Sequence, residues 1–212
     1  MFNRDHKKML LFALYLTSMV LVNTLGSKIT TLGSVRASVG VFFMPILFLV
    51  TDIIGEVHGR KTSAQFVNLS TAMLVFMFAM IGLCIALPAN PTWGLQESYA
   101  TIFGSSMRMT AASIVSFFIA QHVDVLTFSA IKRLTKEKHL WIRNNASTIV
   151  SQFIDTTIFM FIAFFHMTER YTVPFIFSLI IPYWLFKVLF ALLDTPLCYL
   201  GVWWMKKGEK EM

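Results

Sequence analysis

The chain has 212 residues, of which 56% are hydrophobic and 14% charged, with two cysteines and a formal net charge of +7. A soluble domain carries about 25% charged residues, so this composition, with a mean hydropathy of +0.67, excludes an ordinary water-soluble globule. The basic excess does not form a nucleic-acid surface, because it is divided among short loops between apolar blocks.

Those blocks fall at residues 9–25, 38–57, 69–87, 106–131, 145–165 and 175–205. Each is near or above the roughly 20 residues a helix needs to cross hydrocarbon. The expected fold is an all-α integral membrane protein with six transmembrane helices in one domain, residues 1–212. The first block follows a basic start, as in a signal peptide, but it is long and no A-x-A site follows it, so an uncleaved helix is expected. The stretch 88–105 is rich in turn formers and is expected as the longest outer loop. Trp93, Tyr99, Trp203 and Trp204 are expected as interface anchors.

Thirteen of the 18 Lys and Arg residues cluster at alternate ends of the blocks, among them Arg4, Lys7, Lys8, Arg60, Lys61, Lys132, Arg133, Lys206 and Lys207. The positive-inside rule then places both termini in the cytoplasm of a multi-pass plasma (inner) membrane protein. Six helices also permit a three-plus-three inverted repeat. Each half would carry a central aspartate, Asp52 in LVTDII and Asp155 in QFIDTT.

Five ionisable residues fall inside the apolar blocks: Asp52, Asp124, Asp155, Lys187 and Asp194. Each is unfavourable by about 2.5–3.5 kcal/mol at the bilayer centre, so such groups persist where they pair, face a watery cavity or stay neutral. Their spacing points to a shared interior. Asp52 and Glu56 are i, i+4, and Gln121 and Asp124 are i, i+3 with Ser113 and Phe117 upstream. Asn144, Thr148, Ser151, Gln152 and Asp155 make a polar stripe down one apolar helix. Lys187 and Asp194 are two turns apart, and Asn23 adds a polar group to the first helix. For Asn23 or Gln152 taken singly, interhelical hydrogen bonding is an equal reading; one lysine does not neutralise four aspartates. The surplus acidity calls for a cationic or donor-rich ligand, or for a proton held on a carboxylate. His58 and His122 carry little of this reading.

An enzyme is not expected. There is no H-E-x-x-H, no G-x-S-x-G-like nucleophile within a block and no P-loop. A channel is disfavoured because the polar residues are chemically mixed rather than repeated in rings.

The pieces FLVTDIIGEVHG, AQHVDVLTFSAIKRL, ASTIVSQFIDTTIFMFIAFF and FKVLFALLDTPLCYL, within Pro45 to Trp203, resemble the queuosine precursor transporter family, also described as a vitamin-uptake transporter family. In that resemblance the recurring polar positions are Asp52, Asp124, Asp155 and Lys187. Two places depart from the expected pattern: Ala120 stands where Gly is expected and Gln152 where Asn is expected. The first bears on helix packing, and the second keeps the amide but lengthens its reach.

The resemblance implies import of a 7-deazaguanine, either 7-cyano- or 7-aminomethyl-7-deazaguanine or queuine. The expected binding residues are Asp52, Glu56, Gln121, Asp124, Gln152, Asp155 and Lys187. Asn23, Phe117, Phe153, Trp184 and Asp194 are expected as further lining, the aromatics as stacking surfaces. Expected partners are the nucleobase-like solute, the lipid bilayer and a coupling proton or sodium ion, with a homodimer left open. No cofactor, metal or nucleic acid is expected. The alternative reading is a substrate-binding subunit energised by an ATPase partner.

Overall fold

The computed structural model describes residues 3–33, 35–134, 140–193 and 195–207. Local signals set the first helix. Asn3 caps α1 (Arg4–Leu25) by accepting a hydrogen bond from the His6 N–H at 2.8 Å, and Asp5 lies in its first turn.

The expected loop after it contains a hairpin, β1 (Ile29–Leu32) paired antiparallel with β2 (Val35–Ser38), with Ile29 opposite Ser38. β-branched Ile29, Thr30, Thr31 and Val35 suit strands, and Gly33 turns at φ 63°. Four-residue strands between two long apolar blocks are too short to announce themselves by alternation. A 3-10 turn (Val39–Phe42) leads into α2 (Met44–His58), which has Pro45 in its first turn. Gly59, at φ 84° and ψ 162°, takes a conformation open essentially to glycine. It joins α2 directly to α3 (Arg60–Ala86).

α4 (Gln96–Leu134) has 39 residues, about 58 Å at 1.5 Å per residue. It absorbs ten residues of the expected outer loop, because no proline follows Pro91 there and Tyr99 stacks on Phe103 one turn on, at 4.5 Å. α5 (Leu140–Phe164) follows. The expected sixth span, 175–205, is two helices, α6 (Val173–Leu193) and α7 (Thr195–Lys206). Pro182 is carried inside α6, and Pro196 lies in the first turn of α7.

Among the described residues five helices are long and apolar enough to cross a membrane, and the shorter segment Ile149–Phe164 in α5 is also apolar. The chain is thus a multi-pass helical membrane protein of about the expected helix number.

The bundle has two distinct ends. At the terminal end Lys7 Nζ donates to Trp204 O and Lys207 O at 2.7 Å each, and Arg4 Nη2 donates to Val57 O at 3.3 Å. The basic N-terminus thereby caps the last carbonyls of α7 and α2, which a helix cannot satisfy by itself. At the hairpin end Arg108, inside α4 rather than in a loop, donates from Nε to Ile162 O at 2.6 Å and from Nη2 to Phe165 O. α5 therefore runs antiparallel to α4. Arg36 of β2 lies 5.4 Å over the Phe175 ring of α6 and ties the hairpin down.

Two apolar cores hold these helices. One centres on Leu11, Tyr15, Leu47, Ile54, Phe66 and Met205, joining α1, α2, α3 and α7. The other centres on Val41, Met109, Met160, Phe164, Ile176 and Tyr183, joining α4, α5 and α6 near the hairpin. Gly201 lets α7 lie hard against α2, since a Cβ there would come within 2.2 Å of Ile53 Cδ1. Small residues at crossings are how membrane helices approach closely.

Candidate functional site

Between the two cores lies a cavity of about 1130 Å³ to which all seven helices contribute. Its deep end is bounded by Asn23, Phe159, Tyr183 and Lys187, all buried. Its shallow end carries Glu56, Tyr199 and Lys206, all exposed, at the terminal end of the bundle. The cavity therefore opens toward the chain termini and is closed toward the hairpin.

α5 supplies the most polar wall. Ser151, Gln152, Asp155 and Phe159 recur at helical spacing and line the cavity; the side chains of Asn144 and Thr148, the rest of the stripe read from the sequence, are outside the described residues. Lys187 Nζ of α6 donates to Asp155 Oδ2 at 2.8 Å, with the lysine 4% and the aspartate 20% exposed. Lys187 also sits 5.7 Å over the ring of Tyr183, one turn earlier. An ion pair this deep persists because each charge is the other's replacement for water. Gln152 Oε1 is buried and has no hydrogen-bond partner among the described residues.

α2 supplies the opposite wall, with Thr51, Asp52 and Glu56 lining the cavity and both carboxylates exposed. The i, i+4 spacing does place the two on one face. Thr51 Oγ1 donates back to Phe48 O at 2.8 Å, and Ser63 Oγ of α3 donates to Thr51 O at 3.1 Å. The second of these bonds holds α2 against α3 where the cavity opens.

α1 and α4 close the remaining sides. Asn23 is fully buried, donates from Nδ2 to Met19 O at 2.8 Å and accepts at Oδ1 from Ser113 Oγ at 2.7 Å. It lines the cavity with its amide already satisfied, as interhelical glue. Ser106 Oγ donates to Thr24 O at 3.0 Å, a second clasp between the same helices. Phe117 lines the cavity as expected.

The remaining sequence-derived candidates divide. Gln121 and Asp124 lie on α4 at i+4 and i+7 from Phe117; their side chains, and Asp194 altogether, are outside the described residues. Phe153 and Trp184 are not among the cavity residues; they meet edge to face at 5.4 Å, and Trp184 Nε1 donates to Ile149 O at 3.3 Å. His122 is exposed and its Nδ1 lies 2.8 Å from Phe118 O, away from the site. Sequence reasoning passed over Tyr15, Tyr183 and Tyr199, which line the cavity with aromatic surface. The i, i+4 spacing of Tyr183 and Lys187 was the available signal for one of them. Among the described residues no cluster of three or more His, Cys, Asp or Glu side chains could hold a metal ion.

A membrane bundle enclosing a polar, one-sided cavity belongs to the class of solute carriers. Comparison with known proteins agrees. A family described as "Putative vitamin uptake transporter" matches residues 38–201, and the chain belongs to that family. It is 30% identical over 201 residues to the "Probable queuosine precursor transporter" of Bacillus subtilis (strain 168), covering 94% of this chain and 86% of the relative. It is 23% identical over 158 residues to the "Queuosine precursor transporter" of Escherichia coli (strain K12), covering 72% and 66% of the two chains. A Haemophilus influenzae relative bearing the name "Probable queuosine precursor transporter" is 24% identical over 151 residues, covering 68% and 61%. No solved structure matches.

Proposed function

We propose that this protein imports a queuosine precursor, a 7-deazaguanine with a 7-cyano or 7-aminomethyl group or queuine itself, through the cavity between its two cores. The observation that carries the reading is the Asp155–Lys187 pair on the wall of a 1130 Å³ cavity within apolar helices. Nothing in a purely structural bundle requires charged groups around so much empty volume. A fused bicyclic base fills only part of that space, which lies just above the roughly 300–1,000 Å³ of most ligand sites. The relatives' names supply the solute class.

In this reading Asp52, Gln152 and Asp155 present acceptors to the guanine-like edge. Lys187 pairs with Asp155, and Glu56 continues the acidic wall to the mouth. Gln121 and Asp124 extend the site along α4. The protein sits in the plasma (inner) membrane with both termini cytoplasmic, so the structure is its inward-open state. Transport proceeds by alternating access, with a proton or sodium ion as the coupled species.

The test is the queuosine content of tRNA in cells lacking both queuosine synthesis and their own importer. Expression of this chain with one precursor at nanomolar concentration should restore queuosine, and Asp155→Asn should abolish the rescue. Failure of every precursor, with the protein in the membrane, would overturn the reading and turn attention to an ATPase-energised binding subunit.

A further inference from the structure

Two acceptors on α5 are left over when the internal hydrogen bonds of the cavity are assigned. Lys187 engages Oδ2 of Asp155, and no hydrogen bond to Oδ1 is found among the described residues. Gln152, three residues earlier on the same face, buries Oε1 without a partner. Among the described residues it is the cavity-lining side chain with a buried, unpaired oxygen, since Ser70, Thr156 and Thr157 do not line the cavity. Asn23, the other described cavity amide, has both ends occupied. The same residue type thus stands in two conditions: one amide is spent on helix packing and one is held in reserve.

A buried amide oxygen without a donor is unfavourable, and the asymmetry makes it discriminating. A ligand that supplies an N–H relieves it; a ligand presenting only C–H leaves it orphaned; a ligand presenting a carbonyl requires the amide to turn and offer its N–H instead. Residues three apart on a helix are neighbours, so one flat ligand edge reaches both oxygens.

We infer that Gln152 is a specificity-determining residue, its Oε1 accepting from an exocyclic amine of the ligand while Asp155 Oδ1 accepts from the adjacent ring N–H. The ligand class is a heterocycle with two neighbouring donors on one edge, seated on the α5 wall. Queuosine precursors present such an edge, and the inference rests on that proposed function. It adds which residue reads the amine and which analogues the site refuses.

The experiment is equilibrium binding to the full-length protein in lipid nanodiscs. The probes are 7-cyano-7-deazaguanine, its analogue with hydrogen in place of the 2-amino group, and the analogue with a 2-oxo group. Wild-type protein should prefer the amine over the hydrogen analogue by roughly ten- to a hundredfold, and over the 2-oxo compound as well, for which the amide must first turn. In Gln152→Leu that preference should collapse to near unity, and Gln152→Asn should keep part of it. Binding of the amine and hydrogen analogues alike by wild type would overturn the assignment while leaving the transport reading intact, and that arm needs no variant to fold. An undiminished preference in folded Gln152→Leu would also overturn it. Binding of none of the three by folded wild type would remove the proposed function, and this inference with it.

Discussion

The two acidic walls of the cavity differ in how they hold charge. On α5, Asp155 is 20% exposed and locked at 2.8 Å to a lysine that is itself 4% exposed. On α2, Asp52 and Glu56 are exposed toward the mouth. Both walls arise from the same local pattern, an aspartate in the middle of an apolar helix. The difference comes from depth. A deep charge needs a fixed counter-charge in place of water, whereas an exposed one is screened by solvent. It follows that the buried α5 pair carries more of the stability than the exposed carboxylates of α2, which face the mouth.

The strongest break in this comparison is Lys187→Met, which strands Asp155 without its counter-charge. Removing one partner of a buried pair destabilises by about 3–5 kcal/mol, so thermal unfolding of the purified protein should shift clearly downward. Lys187→Met with Asp155→Asn should recover much of the lost stability and none of the uptake. Recovery of uptake in the double variant would mean that the pair is scaffold alone.

Asp155→Asn by itself keeps the shape and removes the charge, so uptake should fall at least tenfold, equivalent to about 1.4 kcal/mol or more, with a smaller loss of stability. Asp52→Asn should sharpen the contrast. Its effect should appear in uptake, several-fold and mainly in KM, with the unfolding midpoint near that of the wild type. If Asp52→Asn unfolds the protein as readily as Lys187→Met, the two walls are not distinct.

Glu56→Gln at the mouth should lower the uptake of a cationic aminomethyl precursor by about two- to threefold at low salt and little at high salt, because exposed charges act over a screened range. The smallest effect belongs to α1 and α4. Ser113→Ala removes the donor to Asn23, and interhelical hydrogen bonds of this kind average about 0.6 kcal/mol, so its signature is a slight loss of stability with uptake retained.

Much of this architecture could be read from the amino acids in order. Hydropathy over 20-residue windows and the i, i+3, i+4 spacing of polar groups are local properties, set by helix geometry and by the unfavourable burial of unpaired polar groups in hydrocarbon. They identified a multi-pass helical membrane protein and placed Asp52, Glu56, Gln152, Asp155 and Lys187 on interior faces, where the structure has them. The hairpin at 29–38 escaped, because four-residue strands are weak signals inside strongly apolar surroundings.

Partner choice was decided by the tertiary structure. Lys187 meets Asp155 across 32 residues, Asn23 is satisfied by Ser113 across 90, and Lys7 caps α7 across 197 and 200. Phe153 and Trp184, equally aromatic and equally well spaced, turn toward each other rather than into the cavity. A sequence states which groups need a partner; only the packing of distant helices determines which groups find one inside the protein and which, like Gln152 Oε1, remain unpaired at the cavity.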